Sequence, residues 1–357
     1  MYSNAEHPHA LRGQGPHGLL TAMTLEDRVR GLESLGFTPR QTRFIALVAL
    51  HSGYCLRRQY AAFAGIRYGK SVCDFFEKLV ARGLATNFTQ RADRGRIYHL
   101  QARAIYRAIG EPEHRNRREA SGALIARRIM VLDYVLSHAD VPWLSTEDEK
   151  VDLFARLGVT PRDLPQRASA AARTEASSAT RYFRHEAPVA VVGDPPIPTF
   201  VCLVTDTTGH MLEQFLRDHS RLFAWLPAWT VVAIGPRLTG LHACEVAFER
   251  YLRRPMDPVS ASTDDDLAWF FRSRQLVDQG DLSGLSVTAI DRFRTLREAF
   301  RRPVFDELYL AWQRDGDAVL ARSAASAQHL GMRSVGTLVT ELLRFDYSQF
   351  GSLPGIA

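Results

Sequence analysis

The tightest constraint on this chain lies between Thr38 and Gly110, where short apolar blocks are each closed by a glycine. Thr38-Pro39 marks a helix start, a capping hydroxyl followed by proline at the first helical position. Phe44, Ile45, Leu47, Val48 and Leu50 then give an apolar face, and Gly53 ends the run. Tyr54-Cys55-Leu56 reads as a short extended link. Arg57 to Ala64 reads as a second helix with Tyr60, Ala61 and Phe63 inward, stopped at Gly65. After the turn Ile66–Gly69, the spacing of Val72, Phe76, Leu79 and Val80 predicts a third helix from Lys70 to Arg82, closed by Gly83. Leu84 to Thr89 reads as a strand, Gln90 to Arg96 (QRADRGR) as a polar turn with three arginines, and Ile97 to Leu100 as a returning strand. Ala102 to Ile109 is a last helix before Gly110.

Helix, helix, helix, strand, basic turn, strand is the order of a winged helix-turn-helix. The third helix has the width that a DNA major groove admits. Its outward positions are Lys70, Ser71, Asp74, Glu77, Lys78 and Arg82. Arg91, Arg94 and Arg96 at the hairpin tip would follow the phosphate backbone or enter the minor groove, and Arg57, Arg58 and Arg67 would flank the entry. The candidate DNA contacts are therefore Arg57, Arg58, Arg67, Lys70, Ser71, Lys78, Arg91, Arg94 and Arg96. Asp74 and Glu77 are unfavourable near phosphate, although a carboxylate accepts a hydrogen bond from cytosine. Tyr68 and Tyr98 fit core or rim packing better than stacking on a base. The same element order also serves protein docking, and arginines on a turn also serve simply as solvated charges.

Charge separates along the chain. The whole sequence has 45 Lys and Arg against 39 Asp and Glu, a net of +6. Residues 1–130 carry 21 basic against 10 acidic residues, and residues 131–357 carry 24 against 29. Within residues 38–130 the count is 18 against 6, so the surplus surrounds one small fold. A basic head on a mildly acidic body points to double-stranded DNA as the partner. The start of the chain has no apolar core of a secretory signal, and no run approaches the roughly 18–20 apolar residues of a membrane span. Cys55, Cys73, Cys202 and Cys244 form no CxxC pair and no zinc spacing, so the expectation is four reduced thiols in a cytoplasmic protein without membrane, metal or cofactor.

Residues 1–37 read as a mobile tail carrying His7, His9 and His17, then a short helix from Thr24 to Leu35. Residues 111–180 read as a helical connector and linker. They open with EPEHRNRREASG and continue as a long apolar helix through Leu124, Ile129, Leu132 and Leu136, basic in its first half at Arg127 and Arg128. This helix could extend the DNA face, bridge two halves, or pair two copies as a homodimer with two half-sites. Thr146 and Glu149 stand in capping-box spacing. Residues 181–357 read as an α/β domain with C-terminal helices. Strands are expected at Val189–Val192, Phe200–Thr205 and Thr230–Ile234, and helices at Met211–Ala224 and His242–Arg253. Residues 260–345 read as helical, with Leu296, Phe300, Leu308 and Leu310 among the core positions, and the chain ends in an apolar tail from Phe350.

Catalytic patterns are sparse. There is no GxSxG, Walker loop or GxGxxG. A metal-dependent nuclease would need clustered acidic ligands, with Asp194, Asp206 and Glu213 as the candidates, and usually a nearby lysine. The only lysines are Lys70, Lys78 and Lys150, and the one Asp/Glu-x-Lys match, Asp148-Glu149-Lys150, sits at a helix start where acidic residues serve as caps. The expectation is a binding protein and not an enzyme.

The stretch TPRQTRFIALVALHSGYCLRRQYAAFAG, with FFEKLVARGLA and RADRGRIYHL after it, resembles the winged-helix half of the replication-relaxation proteins of plasmids and mobile elements. TFVCLVTDTTGHMLEQFLRDH, with Asp206 and Thr208 after the strand, is similar to their acidic-strand-then-helix unit. The resemblance covers roughly residues 38–110 and 180–236. It implies an α+β chain with an N-terminal winged helix-turn-helix, a helical connector and a degenerate restriction-endonuclease-like C-terminal domain. It also implies DNA binding in replication, transfer or transcription control of a bacterial mobile element. The missing lysine departs from active nucleases of that fold.

Overall fold

The structure, a computed structural model, describes residues 23–89, 96–167, 181–183, 188–194, 196–253, 264–280, 286–300, 303–320, 334–345, 347 and 350. It is a mixed α+β fold. The first part runs α1 (Leu25–Glu33), α2 (Pro39–His51), β1 (Tyr54–Leu56), α3 (Arg57–Ala64), α4 (Lys70–Ala81), β2 (Thr86–Thr89), β3 (Arg96–His99) and α5 (Arg103–Ala108). Local chemistry sets these boundaries. Thr24 and Thr38 each accept a hydrogen bond from the third residue of their helix, and the side chains of Asp27 and Gln41 accept one from the cap backbone N–H. Pro39 then enters α2 where its missing N–H costs nothing.

β1, β3 and β2 form an antiparallel sheet in that order, with Tyr54 opposite His99 on one side and Thr86 opposite His99 on the other. Beneath it, Phe44, Tyr60, Phe75, Phe76 and Tyr98 make a buried aromatic cluster with edge-to-face and tilted contacts. The charged stretch after α5 folds inward. Asn116 donates to the Ala49 and Leu50 carbonyls at 2.9 and 3.0 Å, satisfying the end of α2, and its own carbonyl meets His99 Nε2 at 2.9 Å. Gly53 has to be glycine here, because φ is +78° and a Cβ would strike the Asn116 carbonyl.

α6 (Gly122–Ser137) is buried along most of its length and joins the two parts. α7 (Glu147–Arg156) follows, started by the Thr146–Glu149 capping box, and β4 (Gln166–Arg167) pairs with β5 (Arg181–Tyr182). The larger sheet has the order β6-β7-β8-β9, from β6 (Val189–Val192), β7 (Ile197–Leu203), β8 (Ala228–Gly235) and β9 (Val335–Leu342). β6 is antiparallel to β7, and β7, β8 and β9 are parallel. α8 (His210–Asp218) and α9 (Ser220–Trp225) connect β7 to β8. α10 (Leu238–Arg253), α11 (Asp264–Asp278), α12 (Val287–Ala299) and α13 (Pro303–Asp315) lie between β8 and β9.

Side-chain alternation divides this sheet between two cores. Phe200, Cys202, Val231 and Ala233 pack with α8, α9 and α10. Val201, Leu203, Val232 and Ile234 instead join the core of α2, α3, α4 and α6, together with Leu343, Tyr347 and Phe350. One continuous apolar core therefore runs through the first part, the connector and one face of the second sheet.

Two expectations are corrected. Residues 335–342 form strand β9 and not helix, because this β-branched run pairs in full register with β8. Gly336 lies against the Trp229 indole, where a Cβ would collide. Leu310 faces solvent, and the small core of α11 to α13 is closed by Tyr309 and Trp312 beside Leu296 and Phe300.

His51 is buried and His114 half-buried, and their surroundings predict acid sensitivity in the first part. Burial pushes His51 down to about 3, helped by the charges of Lys150 and His114, and pushes His114 down to about 4, helped by Arg115. Both are neutral in the folded chain, whereas the unfolded chain protonates them near pH 6.5. The unfolded state thus binds more protons below pH 6.5, and stability should fall as pH falls from there towards 4, by up to about 1.4 kcal/mol per pH unit for each histidine. Urea midpoints between pH 7 and 4.5 measure this, and His114→Asn should flatten the slope. A pH-independent midpoint would contradict it.

Candidate nucleic-acid interface

The candidate surface is built on α4. Val72, Phe75, Phe76 and Leu79 turn into the core, which leaves Lys70, Ser71, Asp74 and Glu77 on the outer face. The α3–α4 turn presents Arg67 and Tyr68, both exposed. Lys70 Nζ lies 2.8–2.9 Å from the two Asp74 carboxylate oxygens, an i,i+4 pair in open solvent. Arg67 and Ser71 have no hydrogen-bond or ion-pair partner among the described residues. Arg96 is exposed at the start of β3. Arg91 and Arg94 lie outside the described residues.

Three of the candidate contacts are half-buried and bonded within the fold. Arg57 Nε donates to the Tyr98 hydroxyl at 2.7 Å and Nη1 to Cys73 Sγ at 3.1 Å, with Nη2 3.8 Å from the Glu77 carboxylate. It ties α3 and α4 to β3. Lys78 donates to the Gly36 carbonyl and lies over the Phe37 ring, which holds the α1–α2 connection against α4. Arg58 grips the Asp133 carboxylate with both Nη atoms, at 2.8 and 2.9 Å, and stacks 4.0 Å above the Phe345 ring. Arg82, the residue that follows α4, donates to the Leu35 carbonyl. Long basic side chains at the rim of a small core reach back to carbonyls, carboxylates and ring faces, and exposure by helical spacing does not register this.

Asp133 and Tyr347 are the structural partners at Arg58 that sequence reasoning missed. The signal was present: Asp133 is the one acidic residue of α6, in an otherwise apolar run. A lone carboxylate there needs a cation and hydrogen-bond donors.

Among the described residues Asp194, Asp206 and Glu213 do not form one metal-holding group. Asp206 follows β7, and its oxygens accept from the Gly209 and Met211 amides at 3.2 and 2.8 Å, so it caps the entry to α8. Glu213 pairs with Arg250 at 2.7 Å. Asp194 is exposed in the β6–β7 turn, at the opposite end of the seven-residue β7. Seven residues at about 3.3 Å each separate it from Asp206 by roughly 20 Å. Glu149 accepts from Arg28 and from the Ser145 and Thr146 amides, while burial first, and then Arg115, push Lys150 down to about 8. Among the described residues no group of three or more His, Cys, Asp or Glu is placed to hold a metal ion. The four cysteines are free thiols, and burial pushes the Cys55 and Cys244 thiols up, Cys244 to about 12. No helix of the described residues is long and apolar enough to cross a membrane. Comparison of the chain with known protein families, with curated proteins and with solved structures finds no match.

The arginines should separate in a stability assay. Arg58→Ala leaves the Asp133 carboxylate buried without its cation and should cost about 3–5 kcal/mol in chemical denaturation. Arg67→Ala should change stability by less than about 0.5 kcal/mol. Equal effects would contradict the division.

Proposed function

We propose that this chain binds double-stranded DNA through a winged helix-turn-helix, with α3 and α4 as the helix-turn-helix and the β2–β3 turn as the wing. The observation that carries this proposal is the β1-β3-β2 sheet packed beside α4, whose outer face stays open while Arg67 and Arg96 face solvent at its margins. The basic surplus of residues 38–130 supports the same conclusion. In this proposal α4 lies in the major groove. Lys70 and Ser71 face base edges, and Asp74 accepts from a cytosine amine while disfavouring a misplaced phosphate. Arg67, Arg91, Arg94 and Arg96 neutralise backbone phosphates and supply most of the sequence-independent affinity. The role is binding without catalysis, as a transcription regulator or accessory factor of a bacterial mobile element acting in the cytoplasm. That biological setting rests on the resemblance to replication-relaxation proteins.

Fluorescence anisotropy with a labelled random-sequence duplex in rising salt tests this. Affinity should fall steeply with salt. Replacing Arg91, Arg94 and Arg96 together by alanine should reduce the slope of log K against log salt by up to roughly 2.7, at about 0.9 for each phosphate contact. Arg67→Ala should lower affinity for all duplexes alike. Absence of binding in low salt would refute the proposal.

A further inference from the structure

We infer that two copies of this chain join edge to edge through β9, antiparallel about a twofold axis at Val339, to make one continuous eight-stranded sheet. The inference is independent of the DNA-binding proposal.

β9 ends the β6-β7-β8-β9 order, and no strand among the described residues pairs with its other side. The parallel ladder fixes which groups are left there. Val335 N–H donates to the Pro227 carbonyl and Leu343 N–H to the Gly235 carbonyl, both at 2.9 Å. Alternate residues share one direction, so Val335, Thr337, Val339 and Glu341 face β8 with their backbone groups. Gly336, Leu338, Thr340 and Leu342 turn theirs to the open edge.

Sheet proteins blunt such an edge with lysine, proline, a bulge, an inward-pointing charge, a very short strand or a covering helix or loop. The eight residues of β9, VGTLVTEL, contain no lysine, arginine or proline and pair with β8 without a bulge. Their one charge, Glu341, sits 3.8 Å from His138 Nε2 on the side of the sheet covered by α6.

The edge also has apolar flanks on both layers. On one face Val335 and Val339 are 61% and 45% exposed. On the other, Leu238, Glu245 and Leu252 fall at i, i+7 and i+14 along α10, one line of the helix. Glu245 accepts from the Thr340 hydroxyl of β9 at 3.4 Å, which sets that line beside the edge strand. Leu238 and Leu252 on it are 57% and 50% exposed. A helix line and a strand edge that share one border suit a second copy, because a twofold brings like against like in both layers at once.

Symmetry selects the register. A twofold normal to the sheet keeps each face on its own side, so opposed residues must share a face. Centred on Val339, it places Gly336 opposite Leu342 and Leu338 opposite Thr340 of the second copy, so all four outward residues exchange hydrogen bonds. Val339 meets its own mate, and Glu341 meets Thr337 rather than another carboxylate.

Light scattering at micromolar concentration should give twice the chain mass. Val339→Lys places two ammonium groups in contact and should weaken the dimer at least tenfold, with unchanged circular dichroism. Thr337→Lys, opposite Glu341, should leave the dimer intact. Val339→Cys stands in a non-hydrogen-bonded antiparallel pair, about 4.5 Å between Cα atoms, and should form a disulfide-linked dimer on mild oxidation. Thr337→Cys should not. A monomer at about 50 µM, which puts any Kd well above the micromolar range, overturns the inference. A dimer that persists in Val339→Lys, or that cross-links through Thr337→Cys in place of Val339→Cys, overturns it as well.

Discussion

The carboxylate of Asp133 accepts four hydrogen bonds from two distant segments, and the arrangement of the chain depends on it. Arg58 supplies two, the Gln59 amide one at 3.0 Å, and the Tyr347 hydroxyl one at 2.6 Å. A buried carboxylate is tolerated only when cation and donors surround it, so these groups must come together for α6 to be buried at all. The consequences spread through Gln59. Its carbonyl oxygen accepts from the Leu56 amide at 2.9 Å, and its amide also donates to the Ile129 carbonyl at 3.0 Å. The start of α3 is thereby fixed on α6. Tyr347 and Phe345, just beyond β9, close the same site from the second sheet, with Phe345 beneath the Arg58 guanidinium. The segment of Phe345 and Tyr347 thus helps to hold α3, and α4 packed beside it, on α6.

This constraint sorts the basic residues. A net charge concentrated in residues 38–130 suggests a uniformly basic head, but part of that charge is internal mortar. Arg128 donates to the Ser52 carbonyl at 3.4 Å, and outside that range Arg28 donates to the Ile109 carbonyl and pairs with Glu149. Arg57, Arg58 and Lys78 are engaged likewise. Among the described residues the exposed basic positions beside α4 include Arg67, Lys70 and Arg96, and Arg107 and Arg118 are exposed elsewhere on the first part. Removal of an internal arginine would impair any activity through stability, so only the open set reports on contact with a ligand.

The first part was legible because its signals are local. Thr38-Pro39, Gly53, Gly65 and Gly83 bound elements wherever they occur, and the observed helices begin and end beside them. The Thr146–Glu149 box was equally plain, although the second use of Glu149, to hold Arg28, depends on a helix more than a hundred residues away in sequence. Long-range choices were illegible for that reason. β9 pairs with β8 along its whole length, and its four β-branched residues are a strand signal that the helical segments before it in sequence mask. Arg58 looked like an entry to DNA because helical spacing says which way a side chain leaves the helix and nothing about the aromatic ring waiting from the C-terminal segment. In the second sheet, the alternation in β7 and β8 was readable as strand, while its division between two cores was not.

The central claim is that the head and the second sheet are held as one unit through Asp133. A double-mutant cycle in urea with Arg58→Ala and Tyr347→Phe tests it most directly, since the two side chains share the carboxylate. A coupling energy of about 1 kcal/mol or more, in a single cooperative transition, is the expected result. Additivity within about 0.3–0.5 kcal/mol, or separate transitions for the two parts, would contradict the account.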